Sequence, residues 1–397
     1  MWVVSVILRS ALLAGATFVA SPAFADQLLR PEGLCRTAVQ AIDASARKTL
    51  AQGSPGMLVQ VAQNGKVLFT GTYGVADIEH QVPVRRGTVF KLASITKQFT
   101  AAAILLLAED GKLNLADKLS RYVPELPQAE KVTLYQLLVQ TSGLPDYAED
   151  LSGSKTKSVA KTRNEMLAWI TRLTPPFLFE PGTKWGYSNS NYALLGLVAE
   201  RASGRQLHDI FRERLFAPAG LTATALDDPS DVVQHRAFGY RRSTSAASGF
   251  RNADWIHPTI PGPAGGLRGT GDDLVKWTHA LFAGRILRPR SLELMVAAGV
   301  LNNGRTTKFG MPEDWQKGLN SDYGMGVFIK PASVGNRIGH SGDIDGFSTW
   351  VGHYPSRGVT IVHMINSQSA DMDTDAIEAA VFSGPAQGVC FSRPRER

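Results

Sequence analysis

Residues 89–111 read VFKLASITKQFTAAAILLLAEDG, and how they are read decides the fold. From Ser94 onward the body is almost wholly apolar until Gly111, a residue suited to the left-handed stop of a helix. A helix that is apolar on nearly every side is buried on every side, so this one belongs in the middle of a large core. Ser94 opens it, and Lys97 follows three positions later on the same face, with Cβ atoms about 5–6 Å apart. A lysine desolvated there can lose its proton and accept one from the serine hydroxyl, or stay cationic and stabilise a neighbouring anion. The helix start adds backbone N–H groups that favour developing negative charge.

The pattern needs this context. Ser-x-x-Lys also begins at Ser45, Ser152, Ser154 and Ser158. Those four lie in polar stretches (SARK, SGSK, SKTK, SVAK), where a lysine stays solvated and protonated. Only Ser94 follows strand-like segments and opens an apolar helix.

Two further elements carry chemistry. Tyr187-Ser188-Asn189, inside FEPGTKWGYSNSNYALLG, is the single Tyr-x-Asn among nine tyrosines. A phenol near a lysine can act as a base, and a carboxamide two residues on can orient both lysine and substrate. The bland alternative is a loop tyrosine followed by an Asn cap for the next helix. The third element, GHSGDIDGFSTW at 339–350, begins like the Gly-x-Ser-x-Gly nucleophile elbow of α/β-hydrolases. Asp343 stands where that elbow needs its last glycine, and only His353 and His363 follow, with too little chain for the α/β-hydrolase order of serine, acid and histidine. A strand end at His340-Ser341-Gly342 offers instead backbone N–H groups to a bound carbonyl, with a small residue that permits close approach.

The chain has 397 residues, 44% hydrophobic and 19% charged, with a formal charge of +7. That composition supports one or two domains with a large core and excludes a disordered or fibrous chain. No dense Lys/Arg cluster interleaved with aromatics is present, so no nucleic-acid partner is expected. No Gly-x-x-x-x-Gly-Lys-Ser/Thr loop, Rossmann glycine pattern or His-Glu-x-x-His is found, so neither cofactor nor metal is expected. At the N-terminus Arg9, the apolar run ALLAGATFVA and the small-x-small Ala23-Phe24-Ala25 predict a secretory signal cleaved after Ala25. The apolar run is shorter than the ~20 residues of a membrane span, so a stable membrane anchor is not expected. In an oxidising compartment the two cysteines, Cys35 and Cys390, read as one disulfide, the alternative being two buried thiols.

Cys35–Leu50 reads as an amphipathic helix, and MLVQVAQ (57–63) and KVLFTGTYG (66–74) as a hairpin turned at Asn64-Gly65. Helical patterns follow in VTLYQLLVQ, NEMLAWITRL and NYALLGLVAERASG, then an irregular stretch from Thr222 to Trp255. Strands return in YGMGVFI, RIGH, FSTWVGHY and GVTIVHMI, before a helical DAIEAAVF. The expected fold is therefore α/β (α+β): one mixed, mainly antiparallel sheet from both ends of the chain, flanked by helices, with an inserted helical subdomain. The boundaries expected are a signal peptide over 1–25 and one domain over 26–397. Within it the sheet part takes 26–93 and 263–397, and the helical part 94–262.

Taken together, the three elements resemble the Ser-x-x-Lys, Tyr-x-Asn and Lys/His-Ser/Thr-Gly motifs of the penicillin-recognising serine hydrolases. That clan includes class C β-lactamases, D-alanyl-D-alanine carboxypeptidases, D-aminopeptidases and β-lactamase-like esterases. The flanks LYQLLVQTSGLPDY, PAGGLRGTGDDLVKW and YGMGVFI resemble them too, over roughly residues 40–370. The resemblance implies a β-lactamase/transpeptidase-like fold, with Ser94 as acylated nucleophile and Lys97 as its partner. Tyr187 becomes the base for acylation and the activator of the deacylating water. Asn189, His340, Ser341 and Gly342 would contact substrate, and the N–H groups of Ser94 and Asp343 would form the oxyanion hole. The implied substrate is a small molecule or peptide, peptidoglycan fragments among them, opened at an amide or ester in the periplasm or outside the cell. A carboxylesterase and a non-catalytic peptidoglycan sensor are the alternatives, and no oligomeric state is implied. Three departures stand out: histidine at 340, where efficient β-lactamases carry a permanent cation; Asp343 beside the oxyanion hole; and Gln140, where relatives commonly show histidine.

Overall fold

The computed structural model describes residues 33–151, 155–311, 320–368 and 372–391. The expected signal, residues 1–25, lies outside them. Asn64 and Gly65 both take positive φ (49° and 77°), the requirement of a two-residue type I′ turn. They join β1 (Gly56–Gln63) to β2 (Lys66–Asp77). A short β3 (Val82–Pro83) flanks β2. The far end of the chain adds β4 (Asp322–Tyr323), β5 (Phe328–Ala332), β6 (Gly335–Ile344), β7 (Phe347–Tyr354) and β8 (Val359–Ile365). The strand order is β3-β2-β1-β8-β7-β6-β5-β4 with antiparallel neighbours. Both ends of the chain thus meet at the centre of one sheet, where Met57 lies opposite Ile365.

Both faces of that sheet are covered, which is why the central strands are continuously buried rather than alternating. Helices α1 (Arg36–Ala51) and, at the end of the chain, Thr374–Val381 cover one face, with Ala38, Ile42, Ile377 and Val381 packed on Met57, Val59 and Ile361. Cys35 and Cys390 are joined as a disulfide at the rim of this layer, so the first helix is tied to the C-terminal segment. The other face meets α2 (Thr96–Glu109) and the helix Gly271–Phe282. Phe99 of α2 stacks on Trp277 at 4.0 Å between ring centroids, and the Trp277 indole donates to Gln98 Oε1. Every residue of α2 from Thr96 to Leu107 is buried, as its apolar circumference requires. Helices Leu134–Leu138, Arg163–Thr171 and α3 (Asn189–Ser203) follow α2. The irregular stretch contains one small hairpin, Tyr240–Arg242 with Phe250–Asn252. The architecture expected from sequence is the one found. Among the described residues no helix is long and apolar enough to cross a membrane.

Candidate active site

Ser94 sits in a single 3-10 turn, Ala93–Ile95, immediately before α2. The turn is held on both sides by the strand Leu267–Gly269. Leu92 N–H donates to Leu267 O, and Leu267 N–H donates to the Thr96 hydroxyl, which itself donates to Ala93 O. Ala93 is in the left-handed region (φ 46°), an unusual conformation for a residue with a Cβ. The surrounding contacts impose it and so fix where Ser94 points.

Lys97 is fully buried, and its amine makes three contacts: Ser94 Oγ at 3.0 Å, Asn189 Oδ1 at 2.7 Å and Ala264 O at 2.8 Å. Burial pushes its pKa down to about 7, partly countered by the attraction of the Asp146 carboxylate. The amine also faces the rings of Tyr187 and Tyr192, at 4.8 and 5.6 Å from their centroids.

Tyr187 comes from the loop before α3, and its phenol is hydrogen-bonded to Ser94. Burial, with Tyr323 nearby, pushes that phenol well above its ordinary pKa, so it is neutral at physiological pH. The loop is fixed by Gln140, itself buried with φ 64°. The Gln140 carbonyl accepts from Gly186 N–H at 2.9 Å and its side-chain oxygen from Ser188 N–H at 3.1 Å. This gives Gln140, a departure without an account at the level of sequence, a clear part in placing Tyr187.

The third wall is β6. His340, Ser341 and Gly342 lie within the strand, which continues to Ile344 before the tight Asp345-Gly346 turn. Gly342 is needed there: a Cβ at that position would stand 2.3 Å from Leu92 O and 3.1 Å from Ser94 N. The strand backbone therefore runs directly alongside the Ser94 amide. The Thr349 hydroxyl on β7 locks the approach by contacting both Leu92 O and Gly342 O.

His340 stands where efficient β-lactamases carry a permanent cation, and its surroundings set its charge. Its Nδ1 faces the Ser341 carbonyl, which can only accept, so Nδ1 carries the proton. Nε2 then accepts from the Tyr323 hydroxyl at 3.2 Å. Burial, with Lys97 as a nearby cation, drives its pKa down to about 3. The imidazole is neutral and gives the site no positive charge.

Ser94, Tyr187, Asn189, His340, Ser341 and Asp343 line a cavity of about 470 Å³. Ser94, Asn189 and Asp343 also line an adjoining lobe of about 380 Å³. The structure therefore gathers all the residues singled out by sequence into one place, apart from the cysteines at the opposite side. Sequence reasoning passed over Asp146, the Ala264 carbonyl and Tyr323. Asp146 lies inside the LPDY flank, but nothing local marks it as a partner of Asn189. Ala264 contributes only its backbone, which carries no residue-type signal.

The beta-lactamase family profile matches residues 36–383. Penicillin-binding protein 4* of Bacillus subtilis (strain 168) is 28% identical over 346 residues, covering 85% of this chain and 72% of that protein. Among solved structures, the D-stereospecific amidohydrolase from Streptomyces sp. superposes with a TM-score of 0.73 at 26% identity, covering 86% of this chain and 98% of that one. The D-amino acid amidase from Ochrobactrum anthropi SV3, complexed with L-phenylalanine amide, gives a TM-score of 0.72 at 26% identity, covering 87% and 98%. With the family profile spanning almost all of the folded chain, this protein belongs to the beta-lactamase family of serine hydrolases.

Proposed function

We propose that this chain is an exported serine hydrolase that opens an amide or ester through an acyl-enzyme on Ser94, and that its substrates carry an amine rather than a carboxylate beside the scissile bond. The observation that carries the reading is the set of contacts around Lys97. A neutral amine has two N–H bonds and one lone pair. The amine donates to Ser94 Oγ, Asn189 Oδ1 and Ala264 O; once it loses a proton, Asn189 Oδ1 and Ala264 O, which can only accept, keep the two remaining N–H bonds, and the lone pair falls to the Ser94 hydroxyl. With a pKa near 7, a large fraction of Lys97 is in that form at neutral pH.

Lys97 takes the Ser94 proton as Oγ attacks the carbonyl carbon. The oxyanion that forms is held by the N–H groups of Ser94 and Asp343. The neutral Tyr187 phenol gives its proton to the departing amine or alkoxide, and the Lys97 ammonium restores it. In deacylation the same groups work in reverse, with water attacking the ester carbon and Ser94 leaving with its proton. The resemblance by itself implies Tyr187 as the first base. The raised pKa of the phenol and the lowered one of the lysine favour this exchange of parts.

The substrate preference rests on charge. His340 is neutral, so it offers nothing to a substrate carboxylate. Asp343 is exposed, lines both lobes of the cavity, and acts electrostatically on Tyr187. One structural relative is named a D-amino acid amidase, and an amino acid amide carries its amine on the carbon next to the scissile carbonyl. Export rests on the leader-like N-terminus and on the disulfide, which suits an oxidising compartment.

The test is intact-mass analysis after incubation with a D-amino acid amide, a nitrophenyl ester, a D-Ala-D-Ala peptide and a penicillin. An acyl adduct lost in Ser94→Ala, with amide turnover exceeding peptide cleavage, is expected. Turnover persisting in Ser94→Ala refutes the nucleophile, and ester hydrolysis without any amide cleavage makes the protein a carboxylesterase.

A further inference from the structure

Asp146 stands one shell behind the reacting groups. One carboxylate oxygen accepts from Ala148 N–H at 2.9 Å, and the other accepts from Asn189 Nδ2 at 2.9 Å. The segment carrying it is fastened to the start of α3. Pro145 O accepts from both the Ser188 and Ser190 hydroxyls, at 3.1 and 2.7 Å, and Tyr147 N–H donates to Ser190 Oγ at 3.1 Å. The carboxylate is thus placed against Asn189 by five hydrogen bonds that do not involve substrate.

An Asn amide has two faces of opposite polarity, and either could turn toward Lys97. If the NH₂ group faced the amine, it would compete for the lone pair that Ser94 needs. A carboxylate can only accept, so Asp146 draws the NH₂ to itself and turns the carbonyl oxygen to Lys97. We propose that Asp146 is a positioning residue of the acylation step: it fixes the Asn189 flip, and through it the direction of the Lys97 lone pair. This rests on the reading of Ser94 and Lys97 given above.

The charge of Asp146 acts in the same place. Lys97 is faced by Tyr187 from its loop, Tyr192 from α3, His340 from β6, and Asp146. Tyr187 and Tyr192 are held neutral by burial, and so is His340. Asp146 is the carboxylate whose attraction favours the charged form of Lys97. Removing that charge should therefore make the lysine a weaker base, with a neutral form that persists to lower pH.

The experiment compares Asp146→Asn and Asp146→Leu with the unaltered protein, using a nitrophenyl ester, a pH profile of kcat/KM, thermal melting and intact-mass detection of the acyl group. Asp146→Asn keeps an oxygen for Asn189 but removes the charge. Its acidic limb should move down by about half a pH unit or more. Asp146→Leu removes the hydrogen bond as well and should lower kcat by about tenfold or more at pH 7 with KM little changed, because the misdirected lone pair affects chemistry and not binding. A merely structural aspartate would shift melting and leave the limb in place. The inference is overturned if the Asp146→Asn limb coincides with that of the unaltered protein or moves up. It is overturned equally if a folded Asp146→Leu turns over within twofold. Should Asp146→Leu fail to fold, the isosteric Asp146→Asn profile decides alone. A lack of any acyl group on Ser94 in the unaltered protein would instead refute the underlying reading.

Discussion

The Thr349 hydroxyl donates to the carbonyl of Leu92 at 3.0 Å, joining β7 to the residue two places before the candidate nucleophile. Two segments 257 residues apart are thereby set edge to edge, with Gly342 in the gap. Thr349→Val keeps the shape and removes the donor, leaving Leu92 O without this bond in a dry site. Leu92 O keeps the Ile95 N–H at 3.2 Å, so we expect a stability loss of about 1 kcal/mol, the usual net worth of one hydrogen bond. Because β6 and the Ser94 turn would no longer be locked together, kcat should fall by about tenfold, with KM changing less. Urea titration and steady-state kinetics on the same preparation check both parts. An unchanged kcat in a destabilised variant would separate the lock from catalysis.

The protonation of Lys97 sets a second expectation. Its pKa is lowered by burial to about 7, and only the neutral form can accept the Ser94 proton. The kcat/KM profile should therefore rise as pH increases toward 7 and level off above it, with no alkaline loss until other groups titrate. A profile flat from pH 5 to 8 would show that the lysine is not the titrating base. Lys97→Met, which keeps the stem and deletes the amine, should abolish acylation while the protein still melts cooperatively.

Much of this site was legible because its pieces are local. Ser94 and Lys97 are one helical turn apart, and the apolar run after them announces its own burial. Tyr187 and Asn189 share one loop. What was not legible depends on contacts across the fold. Asp146 acquires a role only when the loop after Leu138 is fastened to α3, and Gln140 only when its left-handed backbone meets the Tyr187 loop. The charge of His340 could not be read from its residue type either. Its neutrality follows from burial and from Tyr323, whose arrival across β5 is a matter of tertiary packing. Residue type suggests what a group can do, and the surroundings decide which form of it is present.

Acid stability follows from three buried histidines. Burial lowers the pKa of His340 to about 3, of His353 to about 4 and of His363 to about 3. In the unfolded chain each would titrate near 6.5, so between that value and the folded values the unfolded state holds more protons. Stability is complete above about pH 6.5 and declines as pH falls through the window below it, by roughly 1.4 kcal/mol per pH unit for each histidine once well below 6.5. Melting temperature should drop steeply between pH 6 and 4, and its slope should correspond to an uptake of about three protons from these groups. His363→Gln should shallow that slope by about one proton. A melting temperature that is level across this range would mean that the imidazoles are already charged in the folded protein.

Asp343 is where this chain departs most from a site built for carboxylates, and its effect can be measured by swapping charge alone. In the adjoining lobe Lys157 and Arg241 are both engaged by Asp345 and Asp254, so they contribute no net positive field there. At the far end of the cavity Arg337 is held by Asp375 and Glu378. Asp343 adds a carboxylate beside the oxyanion position, in the lining of both lobes. Asp343→Asn leaves the backbone N–H in place, so hydrolysis of a neutral N-acetylated amino acid amide should change little. Hydrolysis of the same amide with a free ammonium should fall by about fivefold in kcat/KM, the scale of roughly 1 kcal/mol for an exposed charge pair. Because such a pair is screened, the preference of the unaltered protein for the ammonium form should shrink as salt rises from low ionic strength to 1 M, where the Debye length is about 3 Å. Equal losses on both substrates would place Asp343 in the oxyanion geometry instead of in substrate choice. A preference insensitive to salt would show that the ammonium binds away from this carboxylate.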